Sequence, residues 1–149
     1  MNLFTFLRTT VSVAFLATAA PSFAADNPAK LEGGTLVTSE QAKALIDKGV
    51  AVFDVRTTNE FAEGHIKGAK LVAYKEKSAK TADFDAAQDS FDLSKLPGDK
   101  AAALVFYCNG LDCWKSYKAS VTAIKAGYKK VNWLRGGFPE WKSKGYPVE

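Results

Sequence analysis

From residue 35 onward, short apolar runs alternate with segments whose apolar residues recur at helical spacing. Val50–Val55 and Ala101–Tyr107 are almost unbroken apolar runs with β-branched and aromatic residues, the pattern of strands buried on both faces of a parallel sheet. Thr35–Val37, Leu71-Val72 and Val131–Leu134 predict three shorter strands. Behind Thr38-Ser39-Glu40, which supplies an N-cap, Ala42, Leu45 and Ile46 form a helical stripe that stops at Gly49. Thr57–Glu63 predicts one short helical turn. Tyr117, Val121 and Ile124 mark one face of a helix from Cys113 to Ala126 stopped by Gly127, and Phe138–Trp141 opens a last short helix. Strands alternating with helices predict an α/β fold, a central mainly parallel β-sheet flanked by helices.

Residues 74–99 fit neither period. Lys75, Lys77 and Lys80 precede Asp83, Asp85, Asp89 and Asp92, with a turn at Pro97-Gly98. A charge-segregated stretch of this kind reads as a solvated surface connection. Its functional alternative is a docking surface for an exported protein partner.

The first 24 residues have a different character. Arg8 is their only charged residue, Val11–Ala20 is an apolar stretch too short to span a bilayer, and Ser22 and Ala24 place small side chains at −3 and −1 of a cut after Ala24. The expected organisation is a signal peptide over 1–24, a polar tether over 25–34 and one domain over 35–149. The expected location is periplasmic or secreted, with no stable membrane span after processing. Ten Phe, three Trp and five Tyr supply enough apolar surface for a core and exclude a disordered chain. The net charge of +4 comes from lysines interleaved with acids, so a nucleic-acid-binding face is not expected.

The chemistry should lie in Leu104-Val-Phe-Tyr-Cys108-Asn-Gly-Leu-Asp-Cys113-Trp114. A buried strand delivers Cys108 to its carboxyl end, and a short loop containing Gly110 leads to a helix. Ligands of open α/β sheets bind at that edge. Loop amides and the free N–H groups of a helix start favour a thiolate there, turning the cysteine into a nucleophile. The competing reading is a buried structural cysteine.

These residues, with Asp54-Val-Arg56, Glu60-Phe61, Gly64-His-Ile-Lys-Gly-Ala69, Gly136-Gly-Phe138, Trp141 and Gly145-Tyr-Pro-Val148, resemble the rhodanese-like family over most of residues 35–149. The resemblance implies a rhodanese fold and sulfane-sulfur transfer through a persulfide on Cys108. The substrates implied are a small anionic donor such as thiosulfate and a thiol or cyanide acceptor, with no metal and no organic cofactor. The substrate-binding loop would comprise Asn109, Gly110, Leu111, Asp112, Cys113 and Trp114, its amides cradling the anionic sulfur.

This loop departs from the family pattern twice. It holds Asp112 and no cation, so Lys115 and Lys118 on the following helix would have to attract the donor. Trp114 stands where the family's phosphatase relatives carry an arginine, which disfavours phosphate chemistry. Cys113 is the second departure. It is either a resolving thiol, able to displace sulfide from a Cys108 persulfide and leave a disulfide, or a small packing residue at the helix start. Asp54 reads mainly as a fold-holding residue that accepts loop hydrogen bonds, Arg56 as an i, i+4 partner of Glu60, His65 as a hydrogen-bonded turn residue, and Arg135 as a neighbour of the pocket mouth. A dithiol/disulfide redox protein and a non-catalytic binding module of the same fold remain the alternatives to a sulfurtransferase.

Overall fold

The computed structural model describes residues 25–149, so the leader and its cut after Ala24 lie outside the described residues. Five strands, β1 (Thr35–Val37), β2 (Ala51–Asp54), β3 (Lys70–Leu71), β4 (Ala103–Tyr107) and β5 (Lys130–Leu134), form one sheet. Its order is β1-β5-β4-β2-β3, and every pairing is parallel. Four helices cover it: α1 (Ser39–Asp47), α2 (Thr58–Glu63), α3 (Lys115–Lys125) and α4 (Gly137–Ser143). The expected architecture is the observed one. Helix α3 starts two residues later than the sequence suggests, leaving Cys113 in the loop.

Local signals explain the boundaries. Thr38 and Gln41 make a reciprocal capping box on α1, and Thr57 and Glu60 repeat it on α2. Gly49, at φ +87°, takes the left-handed residue that ends α1. Two apolar layers sandwich the sheet. Phe53, Phe106, Trp133, Trp114 and Ala119 pack on the α3 side, and Val52, Val105, Tyr107, Leu134, Ala42 and Trp141 on the α1 and α4 side.

Residues 74–99 correct the expectation of a solvated connection. They carry two 3-10 turns, Ala86–Gln88 and Leu93–Lys95, and bury Tyr74, Phe84 and Leu96 against the α3-side core. Asp89 ties the segment together by accepting bonds from Tyr74, Lys77 and Ser78. Most of the remaining charges, Glu76 apart, face water between apolar anchors whose spacing follows no regular period. No helix among the described residues is long and apolar enough to cross a membrane.

Candidate active site

Alternation along β4 sends Leu104, Phe106 and Cys108 to the α3 face and Val105 and Tyr107 to the other. Cys108 therefore reaches the carboxyl edge of the sheet with its side chain buried, 1% exposed. The chain then turns back, and Cys108 is joined to Cys113 in a disulfide with a Cα–Cα separation of 6.2 Å. The two sulfurs that the resolving-thiol reading requires to meet are thus bonded. Cys113 is half-buried and Cys108 almost fully covered.

The loop backbone is polarised. The carbonyls of Cys108, Gly110, Leu111 and Cys113 all accept hydrogen bonds from protein donors: Phe138 N–H, Cys113 N–H, and the backbone and side-chain N–H groups of Asn27. The N–H groups of Asn109, Gly110, Leu111 and Asp112 donate to no protein acceptor among the described residues. With four carbonyls occupied and four consecutive N–H groups unclaimed, the loop has the donors to receive an anion, as an oxyanion hole does. Gly137 makes this packing possible. A Cβ there would stand 2.4 Å from the Cys108 carbonyl oxygen and 2.7 Å from the Gly110 nitrogen, and its φ of +64° is left-handed.

Asp54 and Arg56 lie beneath the site without meeting the loop. Asp54 accepts from Arg56 Nε and Nη2, from the Arg56 N–H and from the Tyr107 hydroxyl at 2.6 Å. Its role is to hold the fold, and loop donors do not reach it. Burial works against the Arg56 charge, and the Asp54 carboxylate more than offsets it. Burial and the same carboxylate push the Tyr107 hydroxyl well above the ordinary phenol range.

The expected Arg56–Glu60 pair is not made. Arg56 turns inward to Asp54 and the Gly64 carbonyl, while the N-cap demands of α2 claim Glu60. Glu60 accepts from the Thr57 hydroxyl and N–H and from the Asn109 amide, which hold its carboxyl down at about 2. It thereby tethers the first residue of the loop.

Lys118 also differs from expectation. Its side chain is fully buried, with Nζ on the Ser78 carbonyl and hydroxyl and 2.8 Å from Glu76, so it cannot greet a donor from solvent. Lys115 is free of that trap. It lines a cleft of about 360 Å³ with Arg56, Tyr74, Lys75 and Glu76. The walls of that cleft include none of Cys108–Trp114, and only Lys115 ties it to the loop in sequence.

His65 is held by a Nδ1 contact to the Phe61 carbonyl and stacks on the Phe61 ring, in keeping with a turn residue. Trp114 is buried and donates its indole N–H to the Ala25 carbonyl. Leu111 and Asp112 form the exposed tip. Arg135, expected near the pocket mouth, grips Asn27. Among the described residues no cluster of His, Cys, Asp or Glu has the makings of a metal site.

Comparison with known proteins bears on the same region. The family model of the rhodanese-like domain matches residues 38–144. The chain is 32% identical over 121 residues to thiosulfate sulfurtransferase 18 of Arabidopsis thaliana, covering 80% of this chain and 86% of that protein. It is 33% identical over 113 residues to the thiosulfate sulfurtransferase GlpE of Pseudomonas aeruginosa, covering 76% and 87%. In fold it is similar to the 30 kDa polysulfide-sulfur transferase homodimer of Wolinella succinogenes, with a TM-score of 0.58, 19% identity and coverage of 78% and 79% of the two chains.

Proposed function

The chain belongs to the rhodanese-like domain family, and from that premise we propose that it is an exported sulfurtransferase carrying sulfane sulfur as a persulfide on Cys108. The observation that carries this reading is the placement of Cys108 at the carboxyl end of β4, at the start of a loop in which the carbonyls of Cys108, Gly110, Leu111 and Cys113 are occupied and the N–H groups of Asn109 to Asp112 have no protein acceptor among the described residues. In the reduced protein the Cys108 thiolate attacks the outer sulfur of thiosulfate. The S–S bond of the donor breaks, sulfite leaves with the electron pair, and the persulfide anion sits among the loop amides. Lys115, close enough to act on Glu60 beside Asn109, supplies the positive field that the loop itself lacks. Support for the donor class comes from the relatives, which are named as thiosulfate sulfurtransferases. Support for export comes from the N-terminal leader pattern and from a disulfide of the kind that persists in oxidising compartments.

The Cys108–Cys113 disulfide gives Cys113 a part in the cycle. Its thiol attacks Cys108 Sγ of the persulfide, hydrosulfide leaves, and the disulfide forms; two external thiols, the first forming a mixed disulfide and the second displacing it, then restore both cysteines and leave as a disulfide of their own. The incoming thiolate reaches the half-buried Cys113 more readily than the covered Cys108, so Cys108 is expelled as the leaving thiolate. The same disulfide also favours the dithiol reading, in which the pair cycles electrons without any sulfane donor.

Intact mass after brief thiosulfate treatment of reduced protein separates the two. Cys113→Ser is expected to gain one sulfur atom, wild type to release sulfide and lose two hydrogens, and Cys108→Ser to do neither. A Cys113→Ser protein that takes up no sulfur would sink the persulfide reading and leave the dithiol cycle.

A further inference from the structure

Residues 25–34 precede the matched family region, yet they bury two side chains, Asn27 at 1% and Leu31 at 7% exposure. Leu31 packs in the α3-side core. Asn27 lies against the Cys108 loop, with both of its nitrogens bonded there and both of its oxygens bonded to Arg135. Its Nδ2 donates to the carbonyls of Gly110 (3.1 Å) and Cys113 (2.8 Å), and its backbone N–H to that of Leu111 (2.7 Å). Arg135 then fixes Asn27 from behind. Its Nε donates to Asn27 Oδ1 at 2.8 Å and its Nη2 to the Asn27 carbonyl at 2.7 Å. That fork determines which end of the amide faces the loop, because Oδ1 must meet the guanidinium and Nδ2 must meet the carbonyls.

We propose that Asn27, oriented by Arg135, is a positioning residue for the Cys108 nucleophile: it draws three loop carbonyls outward and so leaves the loop N–H groups to face the sulfur. This role rests on the reading of Cys108 as the sulfur carrier, but its physical cause is independent of the donor. A peptide unit presents either its N–H or its C=O to a given side. Losing the side-chain bonds frees the Cys113 carbonyl and leaves that of Gly110 with only the Cys113 N–H, so those units can rotate, and carbonyl dipoles pointed at the sulfur disfavour its anion. The strap comes from a sequence-distant segment, 83 residues from Gly110 and 86 from Cys113. Through Asn27 alone, the segment ahead of the matched family region reaches the active-site loop.

The test uses the reduced protein in a Cys113→Ser background, where Cys108 is the only cysteine. The rate of Cys108 alkylation by iodoacetamide is followed against pH. Asn27→Ala is expected to shift the inflection upward and slow alkylation at neutral pH by about tenfold, the change in thiolate fraction for one unit of thiol pKa. Asn27→Asp, which keeps the Arg135 contacts and sets a carboxylate against the loop carbonyls, should slow it further. Arg135→Lys, which loses the fork, should fall between Asn27→Ala and the parent. Leu31→Ala is the control: it loosens the strap's apolar anchor and lowers the melting temperature but leaves the alkylation profile alone. Profiles for Asn27→Ala and Asn27→Asp that coincide with the parent would overturn the proposal, as would an equal shift in Leu31→Ala. Sulfur uptake from thiosulfate is read on the same proteins. A parent that takes up no sulfur but whose thiol profile depends on Asn27 would sink the sulfurtransferase reading while upholding the positioning role.

Discussion

Asp89→Asn tests how residues 74–99 are held to the core. Asp89 Oδ1 accepts from the N–H groups of Lys77 (2.6 Å) and Ser78 (2.7 Å), and Oδ2 from the hydroxyls of Tyr74 (2.7 Å) and Ser78 (2.6 Å). The buried Lys118 ammonium lies 3.8 Å away. Burial alone would raise the carboxyl pKa, but the bonds from Ser78, Lys77 and Tyr74 override it and hold the group well below the carboxylate range. Asparagine keeps the shape and removes the charge, and charge-assisted bonds are about twice as strong as neutral ones. A loss of ~1 kcal/mol at each of the two backbone bonds, plus the weakened attraction for Lys118, gives roughly 2–3 kcal/mol. For a domain of this size that lowers the melting midpoint by roughly 8–12 °C.

The sign of the pH dependence follows from the depressed pKa. The Asp89 contribution is complete above the unfolded value near ~4 and is lost as pH falls through the folded value. Urea denaturation of wild type and Asp89→Asn should therefore show a constant gap from about pH 5 to 8 and a narrower one, by about 1 kcal/mol, at about pH 3. A loss under about 0.5 kcal/mol at neutral pH, or a gap unchanged at about pH 3, would refute the assignment of Asp89 as the ionised centre of this segment.

Three further outcomes follow from the same geometry. Tyr107→Phe removes the hydroxyl that donates to Asp54 and accepts from the Ile66 N–H, so it should cost about 2–3 kcal/mol in chemical denaturation while sulfur uptake per folded molecule stays unchanged. Reducing the disulfide, which closes a short loop between Cys108 and Cys113, should destabilise wild type by about 2 kcal/mol by chain entropy; Cys113→Ser should show no response to reductant in the same thermal melt. Glu60→Ala removes the reciprocal cap of α2 and the tether on Asn109. It should lose about 1 kcal/mol in urea denaturation at neutral pH. Because the Glu60 carboxyl is held at about 2, wild type should lose that contribution only as pH falls from the ordinary glutamate range toward 2.

What the chain's local pattern determined is the scaffold. The apolar runs at Val50–Val55 and Ala101–Tyr107 became adjacent parallel strands, Thr38 and Thr57 became caps, and Gly49 ended its helix. These features depend on neighbours a few residues apart, so periodicity and turn chemistry reveal them. The place of Cys108 at a strand end was equally legible, because strand alternation and strand length set it.

Which side chains surround the sulfur was decided only in three dimensions. Arg56 prefers buried Asp54 to its helical neighbour Glu60, since an unpaired buried carboxylate is costly. Lys118 sits on α3 where the sequence suggests a solvent-facing cation, and residues 74–99 close over it with Ser78 and Glu76. Asn27, in a stretch with no periodic signal, reaches the loop because the fold brings together segments more than 80 residues apart. A one-dimensional pattern records which residues can be buried. The partners that satisfy buried charges and carbonyls are chosen by tertiary packing, because each such group must find a donor or acceptor wherever the chain happens to bring one.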